Sequence, residues 1–288
     1  MIDGRIIKGI GGFYYVQSGK DVYECRARGK FRKEKIIPLV GDQVKIQVQE
    51  NQKGVVEEIL QRSTELIRPP VANIDQAMIV FAVKKPDPNL TLLDRFLVMA
   101  ESREIDVVIC FNKMDLSEEK CTNLKEIYSQ AGYKVVATSV KENKGIDDVI
   151  ETLKNRVTVF AGPSGVGKSS LLNSIQPNLS LQTGEISQKN KRGKHTTRHV
   201  ELLPLDFGGW VLDTPGFSSL ELDFSEEDLP FLFKEFNSLL GQCRFNGCKH
   251  INEPDCSVKD AVESGKISLS RYESYIQLLQ EMSQKRRY

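Results

Sequence analysis

Hydrophobic and polar positions divide the chain into two parts with different periodicities. Up to about residue 68, short apolar runs such as residues 13–16 and 44–48 alternate with turns. Runs of this length and spacing predict a small closed β-barrel. From residue 76 onward, buried-type strands at residues 77–83 and 106–111 alternate with amphipathic helical segments. That alternation predicts a parallel, doubly wound α/β sheet.

Three domains are predicted from these patterns. The sequence Arg68-Pro69-Pro70 interrupts the apolar pattern, so we predict an oligonucleotide-binding (OB)-like barrel over residues 1–68 and an α/β domain over residues 69–222. Two further helical patterns near the C-terminus predict a small α-helical domain over residues 223–288.

The composition is that of an ordinary globular protein. The chain has 288 residues, 40% hydrophobic content and a net charge of +1, so it can bury its own cores without disulfides. Six cysteines, three of them clustered after residue 240, favour a reducing compartment with one metal site over a disulfide framework. The sequence contains neither a signal pattern nor an apolar run long enough to cross a bilayer. We therefore expect a cytoplasmic monomer with no membrane partner.

A phosphate-binding loop is predicted after the apolar run at residues 157–161. The residues expected to contact the nucleotide there are Gly162, Pro163, Ser164, Gly165, Val166, Gly167, Lys168, Ser169 and Ser170. They contain the pattern G-x-x-x-x-G-K-[ST], in which backbone N–H groups surround phosphates at a helix N-terminus. Lys168 then reaches the outer phosphates, and the Ser169 hydroxyl holds Mg²⁺. The alternative is a chance glycine turn, but the buried strand before the loop and the apolar helix start after it favour a nucleotide site.

A second motif predicts that the nucleotide carries guanine. The N-K-x-D sequence, directly after the strand at residues 106–111, comprises Asn112, Lys113, Met114 and Asp115. It lies at the carboxyl edge, where such sheets bind ligands, and it resembles the guanine-specificity motif of GTPases. The Asp115 carboxylate can accept hydrogen bonds from N1–H and the exocyclic amino group of guanine, a donor pair that adenine lacks. Thr138 and Ser139 resemble the weaker base-contacting loop of GTPases.

Two further segments resemble the switches of GTPases. Residues 188–199 are polar, contain glycine and lack acidic residues, and they lie between the phosphate loop and the next strand, as switch I does. Within them Thr197, with Thr196 as the alternative, is expected to close on Mg²⁺ and the γ-phosphate. Asp213 and Gly216 belong to a D-x-x-G sequence at a strand end. There Asp213 would hold Mg²⁺ directly or through water, and the Gly216 N–H would sense the γ-phosphate.

The order of these motifs is unusual. In common GTPases the phosphate loop precedes the N-K-x-D motif, whereas here Asn112 comes fifty residues before Gly162. The central domain is therefore predicted to be a circularly permuted P-loop GTPase, in which the segment after Gly216 leads directly into the C-terminal domain.

A metal site is predicted near the C-terminus. Cys243, Cys248, His250 and Cys256 have the spacing C-x₄-C-x-H-x₅-C, which supplies three thiolates and an imidazole, the closed ligand set of a structural zinc site. We predict one structural Zn²⁺ per chain, in addition to the Mg²⁺ that accompanies GTP. A domain this small has little apolar surface, so loss of the metal is expected to unfold it.

Two basic segments leave alternatives open. Residues 26–35 hold six basic residues, one aromatic residue and one acid. On an OB barrel such a segment would contact RNA, whereas the alternative is a solvated hairpin tip. The basic tail at residues 285–287 would either touch a phosphate backbone or remain solvated.

The barrel, the permuted motif order and the C-x₄-C-x-H-x₅-C segment together resemble the bacterial GTPases of the RsgA family, which depend on the small ribosomal subunit. The resemblance extends over essentially the whole chain. It implies a slow GTPase that hydrolyses GTP to GDP and phosphate, binds the 30S ribosomal subunit, contacts 16S rRNA and is stimulated by the subunit. It also implies assistance in late 30S maturation, including the release of other ribosome assembly factors.

The resemblance also indicates a catalytic residue. Phe217 follows the D-x-x-G sequence, where Ras-like proteins place a glutamine that orients the attacking water, and a phenyl ring cannot do this. The family resemblance implies a histidine of switch I as the substitute, and His195 is the matching position. The alternative is a surface histidine that contacts RNA phosphates.

The sequence also bears on three other functions. A P-loop ATPase or kinase is disfavoured by Asp115 and the full set of switch motifs. An RNA-binding assembly module whose GTP site only times its binding would lack multiple turnover stimulated by the subunit. A permuted GTPase acting on another RNA or on a protein partner stays open, because the sequence shows basic surfaces without showing their target.

Overall fold

The computed structural model describes residues 1–67, 70–177, 200–213, 222 and 224–285. In chain order the strands and helices are β1 (Ile2–Ile10), β2 (Phe13–Ser18), β3 (Asp21–Ala27), α1 (Gly29–Lys33), β4 (Gln43–Val48), β5 (Lys53–Ile59), β6 (Glu65–Ile67), β7 (Pro70–Ala72), β8 (Gln76–Ala82), α2 (Leu90–Glu101), β9 (Asp106–Asn112), α3 (Glu118–Gln130), β10 (Lys134–Ala137), α4 (Ile146–Leu153), β11 (Val157–Ala161), α5 (Lys168–Ile175), β12 (Glu201–Pro204), β13 (Trp210–Asp213), α6 (Ser257–Glu263) and α7 (Leu269–Lys285).

The described residues form two compact units. The first comprises Met1–Ala77, Ile150–Phe160 and the described residues of Ile175–Ser219, and the second comprises Met78–Val149, Ala161–Ser174 and the described residues of Leu220–Tyr288. The three predicted domains, over residues 1–68, 69–222 and 223–288, stay predictions. Within the described part of the chain, no helix is both long enough and apolar enough to cross a membrane.

The first unit begins with the closed β-barrel that the sequence predicts. Its strand order is β1–β2–β3–β5–β4, and β4 pairs again with β1, which closes the sheet. Inward-facing side chains alternate with outward-facing ones along the strands. The fully buried side chains of the five strands are Ile6, Val16, Cys25, Val44, Ile46 and Val56.

The basic segment at residues 26–35 contains the short helix α1, which the sequence pattern did not predict. Its aromatic residue, Phe31, is buried, whereas all six basic side chains are exposed. The phenyl ring therefore anchors the segment and is not available for stacking on a base. What the segment presents to solvent is positive charge.

Strands β11, β12 and β13 extend the first unit beyond the barrel. β12 pairs antiparallel with β13, and β13 pairs in parallel with β11. β12 also pairs antiparallel with β1 of the barrel, where Lys8 lies opposite Glu201. The Lys8 Nζ atom is 2.7 Å from Glu201 Oε2, so a half-exposed ion pair reinforces this junction.

The second unit has the α/β organisation that the sequence predicts. β10 pairs in parallel with β9, and β8 lies on the other side of β9. All seven residues of β8 are buried, as expected for a strand covered on both faces. Asn89 begins α2 with a side-chain cap, because its Oδ1 accepts a 2.9 Å hydrogen bond from the Leu92 N–H.

The C-terminal part of the second unit is mainly helical, as predicted. It contains α6, α7 and two short 3₁₀ turns, Leu229–Leu232 and Lys234–Phe236. Its buried core is formed by Leu229, Phe233, Phe236, Cys256, Val258, Ala261, Ile267, Tyr275, Leu278, Leu279 and Met282, and it also includes Val98 of α2. This core is therefore continuous with a helix of the α/β part.

Candidate nucleotide and metal sites

The phosphate loop begins at a glycine that no other residue could replace without displacement of the backbone. Gly162 has φ +129°, and a Cβ atom there would lie 2.1 Å from the Val80 carbonyl oxygen of β8. Gly167 has φ +97°, and a Cβ atom there would lie 2.5 Å from Nδ2 of Asn112. The loop is therefore seated directly against one buried strand and against the first residue of the N-K-x-D motif.

Lys168 is the first residue of α5 and faces its own loop. Its Nζ donates to the carbonyl oxygens of Gly162 at 2.8 Å and Pro163 at 2.7 Å. Burial lowers the pKa of this ammonium group, and neither of its hydrogen bonds to the described residues involves a carboxylate. A phosphate beside it would supply a negative charge that the two carbonyl groups lack. Ser169 is the next residue of the helix and is partly exposed.

The Asn112 side chain is hydrogen-bonded to two other segments of the site. It ends β9 and is buried, its Nδ2 donates to the Val166 carbonyl at 2.9 Å, and its Oδ1 accepts from the Thr138 hydroxyl at 3.1 Å. The amide thus connects the N-K-x-D motif to the phosphate loop and to the end of β10. Thr138 is fully buried in this arrangement, so its side chain faces Asn112.

Lys113 bridges two loops at the carboxyl edge of the strands. Its Nζ donates to the Gly165 carbonyl at 2.7 Å and to the Lys85 carbonyl. The turn that carries Lys85, between β8 and α2, was not predicted as part of the site. The signal for it was present, because residues 84–89 are polar, contain two prolines and follow a buried parallel strand.

Asp115, predicted to recognise guanine, is held by Ser139. The Ser139 hydroxyl donates to Asp115 Oδ1 at 2.7 Å, and Ser139 itself is buried. The Met114 N–H donates to the Thr138 carbonyl at 3.0 Å, which fixes the backbone beside the carboxylate. The carboxylate of Asp115 therefore has a set orientation at a partly exposed position.

The predicted nucleotide-site residues between positions 112 and 170 thus lie together in the second unit. Asp213 is the last residue of β13 in the first unit. The predicted switch residues Thr196, Thr197, Gly216 and Phe217, and the predicted catalytic residue His195, lie outside the described residues.

The four predicted metal ligands come together. One ligand atom from each of Cys243, Cys248, His250 and Cys256 lies within 4.8 Å of all the others. The Sγ atoms of Cys243 and Cys256 are 3.9 Å apart, and Nδ1 of His250 is 3.6 Å and 3.3 Å from them. A tetrahedral zinc ion with ordinary bond lengths requires edges of about 3.8 Å between sulfurs and about 3.6 Å between sulfur and nitrogen. The donor set therefore fits a tetrahedral metal ion.

The chemistry of the donor atoms agrees with this fit. Burial lowers the pKa of His250, which keeps its imidazole neutral and leaves a lone pair for a metal. Burial raises the pKa of the Cys248 and Cys256 thiols, whereas at Cys243 hydrogen bonds from the Ser257 N–H and from the thiols of Cys256 and Cys248 outweigh burial and lower the pKa. A bound cation would favour the thiolate form of all three. The cluster could thus hold a metal ion through Nδ1 of His250 and three sulfurs.

Comparison with known proteins gives consistent matches over the whole chain. Residues 59–223 match the model of the RsgA GTPase family, and residues 3–56 match that of the RsgA N-terminal domain. A protein of Alkaliphilus metalliredigens named small ribosomal subunit biogenesis GTPase RsgA is 54% identical, and the match covers 100% of both chains. A protein of the same name from Caldanaerobacter subterraneus is 53% identical, over 100% of this chain and 98% of the relative.

Two solved structures also match almost the whole chain. The crystal structure of YjeQ from Thermotoga maritima has a TM-score of 0.87 at 41% identity, covering 98% of each chain. That of YloQ, described as a circularly permuted GTPase, has a TM-score of 0.84 at 42% identity, covering 99% of this chain and 96% of the other. These matches confirm the predicted fold class, including the permuted order.

Proposed function

The chain belongs to the RsgA GTPase family, and we propose that this GTP hydrolase acts in biogenesis of the small ribosomal subunit by binding the 30S subunit and 16S rRNA. The names of the relatives support the small-subunit pathway. We further propose that hydrolysis is slow in the free protein and faster on the subunit, and that it accompanies late maturation and the release of assembly factors.

One observation carries the choice of substrate. Asn112 and Lys113 are hydrogen-bonded to the phosphate loop, so the motif expected to read the base and the loop expected to hold the phosphates form one continuous site. Asp115, whose Oδ1 accepts a hydrogen bond from the Ser139 hydroxyl, is proposed to accept the paired donors of the base. Guanine offers such a pair in its N1–H and exocyclic amino groups, and adenine does not, so the site should prefer GTP to ATP.

The exposed charge on the barrel supports an RNA partner. All six basic residues at positions 26–35 are exposed on one short segment around the buried Phe31. Such a segment suits contacts with a phosphate backbone, which need cations and carry no base information. Because stacking by Phe31 is excluded, we propose that the barrel contributes affinity for rRNA and that shape and charge determine where it binds.

The residues of the nucleotide site divide into two roles. Lys168 and the loop N–H groups bind the phosphates, and Ser169, Thr197 and Asp213 are proposed to hold Mg²⁺, which neutralises charge on the phosphate oxygens when bound. Gly216 is proposed to sense the γ-phosphate. His195 is proposed to orient the attacking water, because Phe217 cannot do so.

We propose that the cysteine and histidine cluster holds one structural Zn²⁺. Three thiolates and one imidazole complete a tetrahedral shell and leave no open position for a substrate. This ion would fix the segment between residues 243 and 256 and would take no part in GTP hydrolysis.

The decisive experiment is GTP turnover with and without purified 30S subunits. The expected result is multiple turnover that rises with 30S concentration and saturates, and that is absent with 50S subunits. The Lys168→Ala variant controls for contaminating GTPases, because it should lack both basal and stimulated activity. Unchanged turnover with saturating 30S, combined with stimulation by another RNA or protein, would instead support a permuted GTPase with a different partner.

A further inference from the structure

The turn that carries His250 is held by groups that are not metal ligands. Glu253 folds back onto the turn, and its carboxylate accepts three backbone hydrogen bonds. Its Oε1 accepts from the Lys249 N–H at 2.9 Å, and its Oε2 accepts from the N–H groups of Ile251 at 3.0 Å and Asn252 at 3.1 Å. Three charge-assisted bonds to one carboxylate are a strong constraint on so short a segment.

Helix α7 holds the same turn from the other side. The Tyr272 hydroxyl donates to the His250 carbonyl at 2.6 Å, and the Tyr275 hydroxyl donates to the Lys249 carbonyl at 2.8 Å. Tyr275 is fully buried and packs edge-on against Phe236 in the C-terminal core. The turn is thus fastened to a packed core by its carbonyl groups and to Glu253 by its N–H groups.

These bonds compensate an unfavourable backbone conformation. His250 has φ +59°, in the left-handed region that is unfavourable for a non-glycine residue. In return, the imidazole is buried against Phe236 and Tyr275, and its Nδ1 faces the sulfurs of Cys243 and Cys256. A relaxed backbone at this position would direct the ring elsewhere.

We propose that Glu253 is a positioning residue for the metal site, and that together with Tyr272 and Tyr275 it sets the His250 turn before a metal ion arrives. The metal then binds a preformed donor set through Nδ1 of His250. This differs from the expectation that the metal alone orders the C-terminal part, and it rests on the proposed zinc site.

The first test uses the wild-type chain after its metal is removed with a chelator under reducing conditions. Hydrogen exchange of peptides covering residues 249–256 should show protected amides at Ile251 and Asn252 in the metal-free protein. Exchange there at the rate of an unstructured peptide would overturn the proposal, because the turn would then depend on the metal.

The second test compares two variants that each remove one negative charge near the site. Glu253→Gln loses the carboxylate that binds the turn, whereas Asp255→Asn loses a carboxylate whose partner is the exposed Arg244. Competition with a chromophoric chelator for Zn²⁺ should show affinity reduced roughly 10–100-fold in Glu253→Gln and changed less than about 3-fold in Asp255→Asn. Equal affinities in the two variants would contradict a positioning role.

Two further measurements distinguish loss of positioning from unfolding and from loss of the metal ligands themselves. The helical circular dichroism signal, measured in parallel, reports whether each variant keeps its C-terminal helices folded. The Co²⁺-substituted protein should keep the thiolate charge-transfer absorption of three sulfur ligands in Glu253→Gln, because the ligands themselves are intact. A wild-type protein that binds neither Zn²⁺ nor Co²⁺ would refute the proposed metal site itself, an outcome distinct from a metal site that does not need Glu253.

Discussion

Nη1 of Arg271, in α7, lies 2.6 Å from Oδ1 of Asp94, in α2, and both side chains are buried almost completely. The same guanidinium donates to both carboxylate oxygens of Glu235, at 2.7 and 2.9 Å, and lies over the Phe233 ring. The Tyr128 hydroxyl, from α3, donates to Asp94 as well. Burial alone would lower the pKa of Arg271, but the two carboxylates outweigh it and raise the pKa. One cation thus connects α7 with α2 and with the 3₁₀ turn Lys234–Phe236.

Replacing Arg271 with methionine should destabilise the protein strongly. The side-chain volume is nearly kept, but two carboxylates are left buried without their cation, which typically costs about 3–5 kcal/mol. Lys120→Met is the matched control, because Lys120 pairs with Asp87 at an exposed position and its loss should cost less than about 1 kcal/mol. Urea unfolding followed by circular dichroism measures both. Equal midpoints for the two variants would show that the buried network contributes nothing.

Replacing Asp115 with asparagine should change the base that the site prefers. The amide puts a donor opposite the guanine amino group, so GTP affinity should fall by about 10²–10⁴-fold, while xanthosine triphosphate should bind better than GTP. Titration with fluorescent analogues of both nucleotides measures the change. Asp260→Asn, which changes an exposed acid of α6, should leave GTP affinity unaltered. Retained GTP affinity in Asp115→Asn would show that Asp115 does not recognise guanine.

Two glycines of the phosphate loop should tolerate alanine differently. In Gly162→Ala the new Cβ meets the Val80 carbonyl, so the loop must move and nucleotide binding should be lost. In Gly165→Ala the nearest atom is Cδ of Pro86 at 3.9 Å, so only the backbone strain of its φ of +81° remains, and binding should weaken by about tenfold or less. Comparable GTP affinities in the two variants would contradict the close seating of the loop on β8.

Removing one metal ligand should release zinc without affecting the nucleotide site. We expect one Zn²⁺ per wild-type chain by elemental analysis and substantially less in Cys243→Ser, which lacks a thiolate of the tetrahedral set. Cys121→Ser, which changes a buried cysteine of α3 outside the cluster, is the control and should keep its zinc. A protein purified without chelators that contains no zinc would disprove the site.

His195 and Lys168 should fail in different ways when replaced by alanine. Lys168→Ala removes a cation from the phosphates and should weaken both binding and turnover. His195→Ala should bind GTP normally but lose roughly 10²–10⁴-fold in 30S-stimulated rate, because an orienting group acts only when water attacks. A titration with 30S subunits separates maximal rate from half-saturation. Full recovery of the maximal rate at saturating subunit would identify His195 as an RNA contact.

The sequence predicted those parts of the structure whose chemistry is local. The glycines at 162 and 167 could be recognised because a phosphate loop needs backbone space within a few residues. The cluster of three cysteines and one histidine could be recognised because all four residues fall within one short segment with the spacing of a metal site. In both cases a function restricts neighbouring positions, and the restriction is visible in the order of residues.

Long-range pairings were not predictable in the same way. Asp94 occupies a polar position of an amphipathic helix, and nothing near it in sequence indicates that Arg271, 177 residues later, would neutralise it. Glu253 looks like one more acid in a polar loop. The pairing of β1 with β12 was missed because β12 has only four residues and its partner lies in another predicted domain. Tertiary packing determines which of these distant residues and strands pair, and the local sequence pattern carries no information about it.

The seating of Gly162 on Val80 has a consequence for how the protein is made. The strand that supports the phosphate loop is synthesised first, together with Asp115, which is proposed to read the base. Lys168 follows 53 residues after Asp115, a delay of roughly 3–10 s at ordinary rates of translation. GTP therefore cannot guide the folding of the residues made before position 162, because the loop expected to bind the phosphates has not yet been synthesised. A nascent chain stalled before Lys168 has emerged should gain no protease protection from GTP, whereas one stalled after the loop has folded should. In this chain the nucleotide can bind only after the strand that supports its phosphate loop has been synthesised.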